Sequence, residues 1–89
     1  MSFHLFFAQQ FQKNFKRLTK KNSVLRSAVL KKIENIDSNP AVGEHLHRNL
    51  AGKQSVHVMD HWVIIYEVFI KDNRIEFQNF DHHDYAYDM

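Results

Sequence analysis

Seven histidines occur in this 89-residue chain, and six of them, at positions 45, 47, 57, 61, 82 and 83, lie in its second half. Imidazole takes up and releases a proton near neutrality, because its ordinary pKa is about 6.5, so it can serve as either base or acid. One reaction that uses such a pair is cleavage of RNA by its own 2′-hydroxyl. That step needs a base for the hydroxyl proton, an acid for the departing 5′-oxygen and positive charge on the phosphate. His57 and His83, with His61 and His47, are the candidate acid–base residues. Lys53 and Arg48 are the candidate cations, His45 is a further substrate contact, and Trp62, Tyr85 and Tyr87 offer ring faces for a base to stack on.

A metal centre is the rival chemistry, since His45-x-His47, His57-x3-His61 and His82-His83 read as ligand clusters. Strand geometry argues against it. Residues four apart on a straight strand lie roughly 13 Å from each other, whereas a metal holds its ligand atoms at about 2 Å. His57 and His61 would meet only if a turn folds them together, and the adjacent His82 and His83 are expected on opposite faces. The sequence therefore predicts no metal and no cofactor, beyond adventitious nickel binding.

The elements that must position these residues follow from periodicity. Residues 2–7, SFHLFF, make a strand candidate. Phe7, Phe11, Phe15 and Leu18 then recur at helical spacing among Lys13, Lys16, Arg17, Lys20 and Lys21, which describes an amphipathic helix. Asn22-Ser23 offers a cap for a second helix whose core positions are Leu25, Ala28, Val29, Ile33 and Ile36, closing near Pro40. Residues 40–53 hold the only proline and both glycines and are expected to be a loop carrying His45, His47, Arg48 and Lys53.

Beyond that loop the period changes to two. Val56 and Val58 alternate with polar neighbours, residues 62–69 are nearly continuously apolar, and Ile75, Phe77 and Phe80 mark a last strand. The resulting order is β-α-α-β-β-β, an α+β fold with a helical hairpin on an antiparallel sheet. Turns at Asp60-His61 and Asp72-Asn73 would pair His57 with Ile64, Ile64 with Asp81, and Trp62 with His83. His57, Trp62, Ile64, Tyr66, Asp81 and His83 would then share the open face, with Val56, Val58, Val63, Ile65, Phe69 and Phe80 under the helices. His57 and His83 would flank the central strand roughly 10–12 Å apart, able to bracket one phosphodiester.

Composition bounds the rest. The length suits one domain spanning residues 1–89, and the absence of cysteine rules out disulfides and thiolate metal sites and suits a reducing cytoplasm. The longest apolar run, Trp62 to Tyr66, is far short of the roughly 20 residues of a membrane span, so a soluble protein is expected. Residues 1–42 carry eight Lys/Arg against Glu34 and Asp37, while residues 43–89 carry four against eight acids. The basic half fits a nucleic-acid or acidic-peptide surface as well as a solvated helix face.

The order of elements, the stretch NLAGKQSVHVMDHWVIIYEV and the ending FQNFDHHDYAYDM together resemble the RelE/ParE superfamily of toxins from type II toxin–antitoxin systems. Leu50-Ala51-Gly52 is similar to that family's Leu-x-Gly segment, and Trp62 to Tyr66 to its WxxIY strand. Within the family the YafQ-like branch looks closest, then the YoeB-like. By that resemblance His57 matches the histidine before the turn, Trp62 the tryptophan, His83 the final-strand histidine and Tyr87 the aromatic after it, with His45 or His47 standing for a loop histidine. Two positions depart: His61 stands where YafQ-like toxins have an acid, and Val63 where RelE toxins have a phosphate-binding arginine.

The resemblance implies a ribosome-dependent mRNA endoribonuclease acting in the A site, metal-independent, held in check by a cognate antitoxin in a complex that can bind operator DNA. Two alternatives stay open: a ParE-like poison of DNA gyrase, and a catalytically degenerate homologue that only binds its antitoxin.

Overall fold

Phe11 sits at the centre of an aromatic stack, its ring 5.5 Å from Phe7, 6.2 Å from Phe15, 5.9 Å from Phe77 and 6.1 Å from Phe80. These contacts seat the first helix on the sheet in the computed structural model, which describes residues 3–88. The elements are β1 (His4–Phe7), α1 (Gln9–Thr19), α2 (Ser23–Ser38), β2 (Glu44–His45), β3 (Lys53–Val58), β4 (Trp62–Phe69) and β5 (Arg74–His82). Ser2 of the expected first strand lies outside the described residues. The Asn22 side chain accepts from the Leu25 N–H at 3.0 Å and so caps α2 as expected. Leu25, Val29, Ile33 and Ile36 are the buried positions of that helix. No helix among the described residues is long and apolar enough to cross a membrane.

The sheet order is β1-β5-β4-β3-β2, antiparallel except that β1 runs parallel to β5. The expected α+β architecture and three-strand meander are present. The sheet is wider than expected because β1 covers one edge and Glu44–His45, inside the segment expected to be a loop, pairs with Ser55 and Gln54 at the other. β4 is central, with Val63, Ile64, Ile65 and Tyr66 all fully buried. Ile64 and Tyr66 join the main core with α1 and α2, while Val63 and Ile65 are covered by Ala86, Leu46 and Tyr87.

The expected register is wrong by one residue, and the cause is turn length. His57 pairs with Val63, Val63 with Asp81, Ile64 with Phe80, and Trp62 with His82. The first hairpin closes through three residues, Met59, Asp60 and His61, the first two at φ 51° and 68°, instead of the two assumed. One residue more in the turn moves every side chain of β4 to the other face relative to β3. Trp62, Ile64 and Tyr66 therefore face the helices, and Val63 and Ile65 the opposite side with His57 and Asp81. The second turn is also longer, a 3₁₀ turn at Ile70–Asp72 followed by Asn73 at φ 50°. A bulge between Ile65 and Tyr66 in the pairing with β5 then lets both Phe77 and Phe80 reach the main core.

Tyr66 ties the first loop to the sheet. Its hydroxyl donates to the Pro40 carbonyl at 2.7 Å and accepts from the Gly43 N–H at 2.9 Å, and Gln54 Nε2 lies 3.3 Å away. A Cβ at Gly43 would collide with this ring, so the position excludes any side chain. Tyr66→Phe leaves the buried Gly43 N–H without its acceptor, while the Pro40 carbonyl keeps Gln54 Nε2 at 3.0 Å, and is expected to cost about 1–3 kcal/mol, read from the urea midpoint. Burial also raises the Tyr66 hydroxyl above its ordinary 10.0. The folded chain then keeps a proton that the unfolded chain has lost, so this contribution to stability is full below about pH 10 and declines as pH rises beyond it. The phenylalanine variant should show a flatter alkaline decline than the parent.

Candidate acid–base face

His57 is exposed between the buried Val56 and Val58, because strand alternation turns it away from the helices. Ser55 lies two residues earlier on the same face and is buried. The C-terminal turn folds back over this side of the sheet: Ala86 is fully buried, and its carbonyl accepts from Asn79 Nδ2 at 3.0 Å. Tyr87 packs on the Val63–Ile65 patch, and its hydroxyl lies 3.5 Å from Ser55 Oγ, the long limit of a hydrogen bond. The face thus carries an exposed imidazole beside a half-buried phenol, with Asp81 in the same row across Val63.

His61 and His83 stand at the end of this ladder, past the Trp62–His82 pair. The His83 N–H donates to the His61 carbonyl at 2.8 Å, adding one rung beyond the Trp62–His82 pair. His57 and His83 consequently lie diagonally across the central strand. Strand spacings put their backbones roughly 12 Å apart, close to the separation expected from the sequence although His57 pairs with Val63 and not with Ile64. The rings of His61 and His83 are 6.2 Å apart, and His82 and His83 are 4.4 Å apart. The expectation that His82 and His83 face opposite ways fails because β5 ends at His82, and alternation ends with it.

The other candidates divide. Trp62 is turned to the helix side, 5.9 Å from Phe80 and 5.6 Å from His82, so it is core and cannot stack on a base beside His57. Lys53 shares the face but stands four residues before His57 on β3. Its ammonium is held by Glu67 Oε1 at 3.2 Å and by Gln78 Oε1, so its charge is already matched. Arg48 is exposed with φ 58° at the start of a 3₁₀ turn. His47 beside it and His45 on β2 are exposed as well, and Leu46 between them packs on the Val63 patch, which brings this loop to the border of the face. Tyr85 is exposed, 6.3 Å from His82.

Ser55 is the site neighbour that sequence reasoning missed. Its signal was the period-two offset from His57, which placed it on the same face. The bulge was legible too, since 75, 77 and 80 cannot all occupy one face of a regular strand.

Known proteins share this frame. The family model described as "ParE toxin of type II toxin-antitoxin system, parDE" matches residues 5–87. The toxin candidate RelE4 of Methanocaldococcus jannaschii is 32% identical over 84% of this chain and 80% of its own length. Among solved structures, a YoeB/ParE toxin from Agrobacterium tumefaciens superposes with TM-score 0.82 at 18% identity, covering 90% of this chain and 98% of the other. YafQ from E. coli gives 0.73 at 21% identity, covering 90% and 92%. At such identities these two likenesses establish the fold alone. Matched over nearly its whole length by the family model and by a relative above 30% identity, the chain belongs to the RelE/ParE superfamily of type II toxin–antitoxin toxins.

Proposed function

We propose that this chain is an RNA-cleaving toxin that cuts messenger RNA in the ribosomal A site by acid–base catalysis, without a metal, and is silenced by a cognate antitoxin. The observation that carries the reading is the exposed His57 on the sheet face away from the helices, with His61 and His83 paired at the end of the same ladder. One imidazole takes the 2′-hydroxyl proton while another protonates the 5′-oxygen, and Arg48 at the border supplies charge to the phosphate. Tyr87, half-buried against Val63, offers a ring edge to a nucleotide lying along the face. The antitoxin follows from the family's pairing of toxin with antitoxin, and a complex of the two can bring the basic first half of the chain to operator DNA.

A second reading, poisoning of DNA gyrase by binding alone, is favoured by the ParE family match and by the poverty of free positive charge on the face. Lys53 is paired with Glu67, and the residue between His57 and Asp81 is Val63. Induced expression in bacterial cells separates the two. Growth arrest with new 5′ ends inside translated messages, absent from untranslated ones, is the expected result. Arrest with intact messages and inhibited DNA supercoiling would replace the nuclease with the gyrase poison. Harmless expression of soluble, folded chain would leave only antitoxin binding.

A further inference from the structure

Three histidines that come from two separate parts of the chain meet at the end of the central hairpin. One ligand nitrogen from each of His61, His82 and His83 can be chosen so that all lie within 4.8 Å of one another. Nitrogens bound tetrahedrally at about 2.0–2.1 Å stand roughly 3.4 Å apart, so small ring rotations close the set. All three rings have room for them: His61 and His83 are exposed and His82 is partly so.

The backbone beneath the cluster is held by independent contacts. The His83 N–H bonds to the His61 carbonyl, and the left-handed Met59 and Asp60 shape the turn that delivers His61. The Trp62 ring meets His82 edge-on at 81°, supporting it from the core side. The Asp84 carboxylate reaches His82 Nδ1 at 3.4 Å and His83 Nδ1 at 3.2 Å. A carboxylate behind an imidazole orients it and strengthens its other nitrogen as a metal ligand. His82 Nδ1 also lies 3.2 Å from the Asp84 N–H, so metal-ready His82 requires the tautomer that gives its proton to the carboxylate.

We propose that His61, His82 and His83 form a binding site for a divalent first-row transition ion. An all-imidazole set suits zinc, copper or nickel and not magnesium or calcium, which prefer oxygen. Three protein ligands leave further positions for water. This reverses the expectation from the sequence, in which His82 and His83 diverge and His61 is considered only with His57. On the nuclease reading above, the ion also withdraws His61 and His83 from proton transfer, so binding lowers cleavage. The site itself does not depend on that reading.

Calorimetric titration of zinc chloride into the untagged full chain tests the site without any activity assay. One equivalent is expected to bind, with His82→Ala and His61→Gln each weakening it at least about 10-fold, and a His45→Ala/His47→Ala double variant unchanged. Imidazole NMR on the unmutated chain guards against misfolded variants: zinc should move the resonances of His61, His82 and His83 and spare His45, His47 and His57. Absence of binding up to about 1 mM zinc, or full affinity in both single variants, overturns the proposal. So does a response confined to His45 and His47. If zinc binds as expected but the chain cleaves no RNA, the metal site stands and the nuclease reading falls.

Discussion

His57→Ala is expected to lower RNA cleavage by about 10²–10⁴-fold, the usual contribution of a positioned acid or base, which corresponds to roughly 2.7–5.5 kcal/mol of transition-state stabilisation. The fold should hardly notice. His57 is exposed and its side chain makes no hydrogen bond or ion pair among the described residues, so the change in stability should stay within about 0.5 kcal/mol. Cleavage of a translated message in a reconstituted translation system, with the purified chain at fixed concentration, gives the reading. His4→Ala serves as the control, since His4 is exposed on β1 at the edge of the sheet away from β3. Activity within a few-fold of the parent would remove His57 from the chemistry and shift attention to His61 and His83. Equal losses at His57 and His4 would point to a general effect on folding or ribosome encounter.

Phe80→Ala should have the largest effect on the fold, about 3–5 kcal/mol, as for other large core aromatics cut to a methyl. Phe80 is fully buried and meets Phe11 at 6.1 Å, Phe15 at 6.3 Å and Trp62 at 5.9 Å, so its loss opens a cavity between α1 and the sheet. Its neighbours cannot readily fill the space, because Asn79 beside it is bonded to Asn14 and to the Ala86 carbonyl. Domains of this size have roughly 5–15 kcal/mol to lose, so the variant should be partly unfolded at 37 °C. Thermal unfolding followed by circular dichroism checks this. A midpoint lowered by only a few degrees would mean that the aromatic stack repacks around the gap. Activity would fall as well, but through the population of folded chain and not through the site.

The helices and strands could be read from the chain because their signals are local. The Phe7, Phe11, Phe15 spacing, the Asn22 cap and the stop at Pro40 each depend on a few neighbouring residues. The same holds for the apolar run at 62–66, which named the central strand. The candidate site was legible in part. His57 was placed on the open face correctly because its two buried neighbours, Val56 and Val58, are adjacent in sequence. Trp62 was misplaced because its face depends on the number of residues in the preceding turn, and Lys53 was read as a free cation because its partners Glu67 and Gln78 come from other strands.

Residue type and periodicity by themselves determined the α+β class, the helical hairpin, the central strand and the concentration of histidine in the second half of the chain. Tertiary structure alone decided which histidines meet. The three-residue turn at Met59 to His61 and the bulge at Gln78 on β5 shift the ladder so that Val63, not Ile64, stands between His57 and Asp81. The end of β5 at His82 then gathers His61, His82 and His83 at one point. The physical reason is that strand alternation makes the face of every residue depend on a count modulo two. A single turn residue, which costs little energy and leaves little trace in composition, therefore inverts a whole strand.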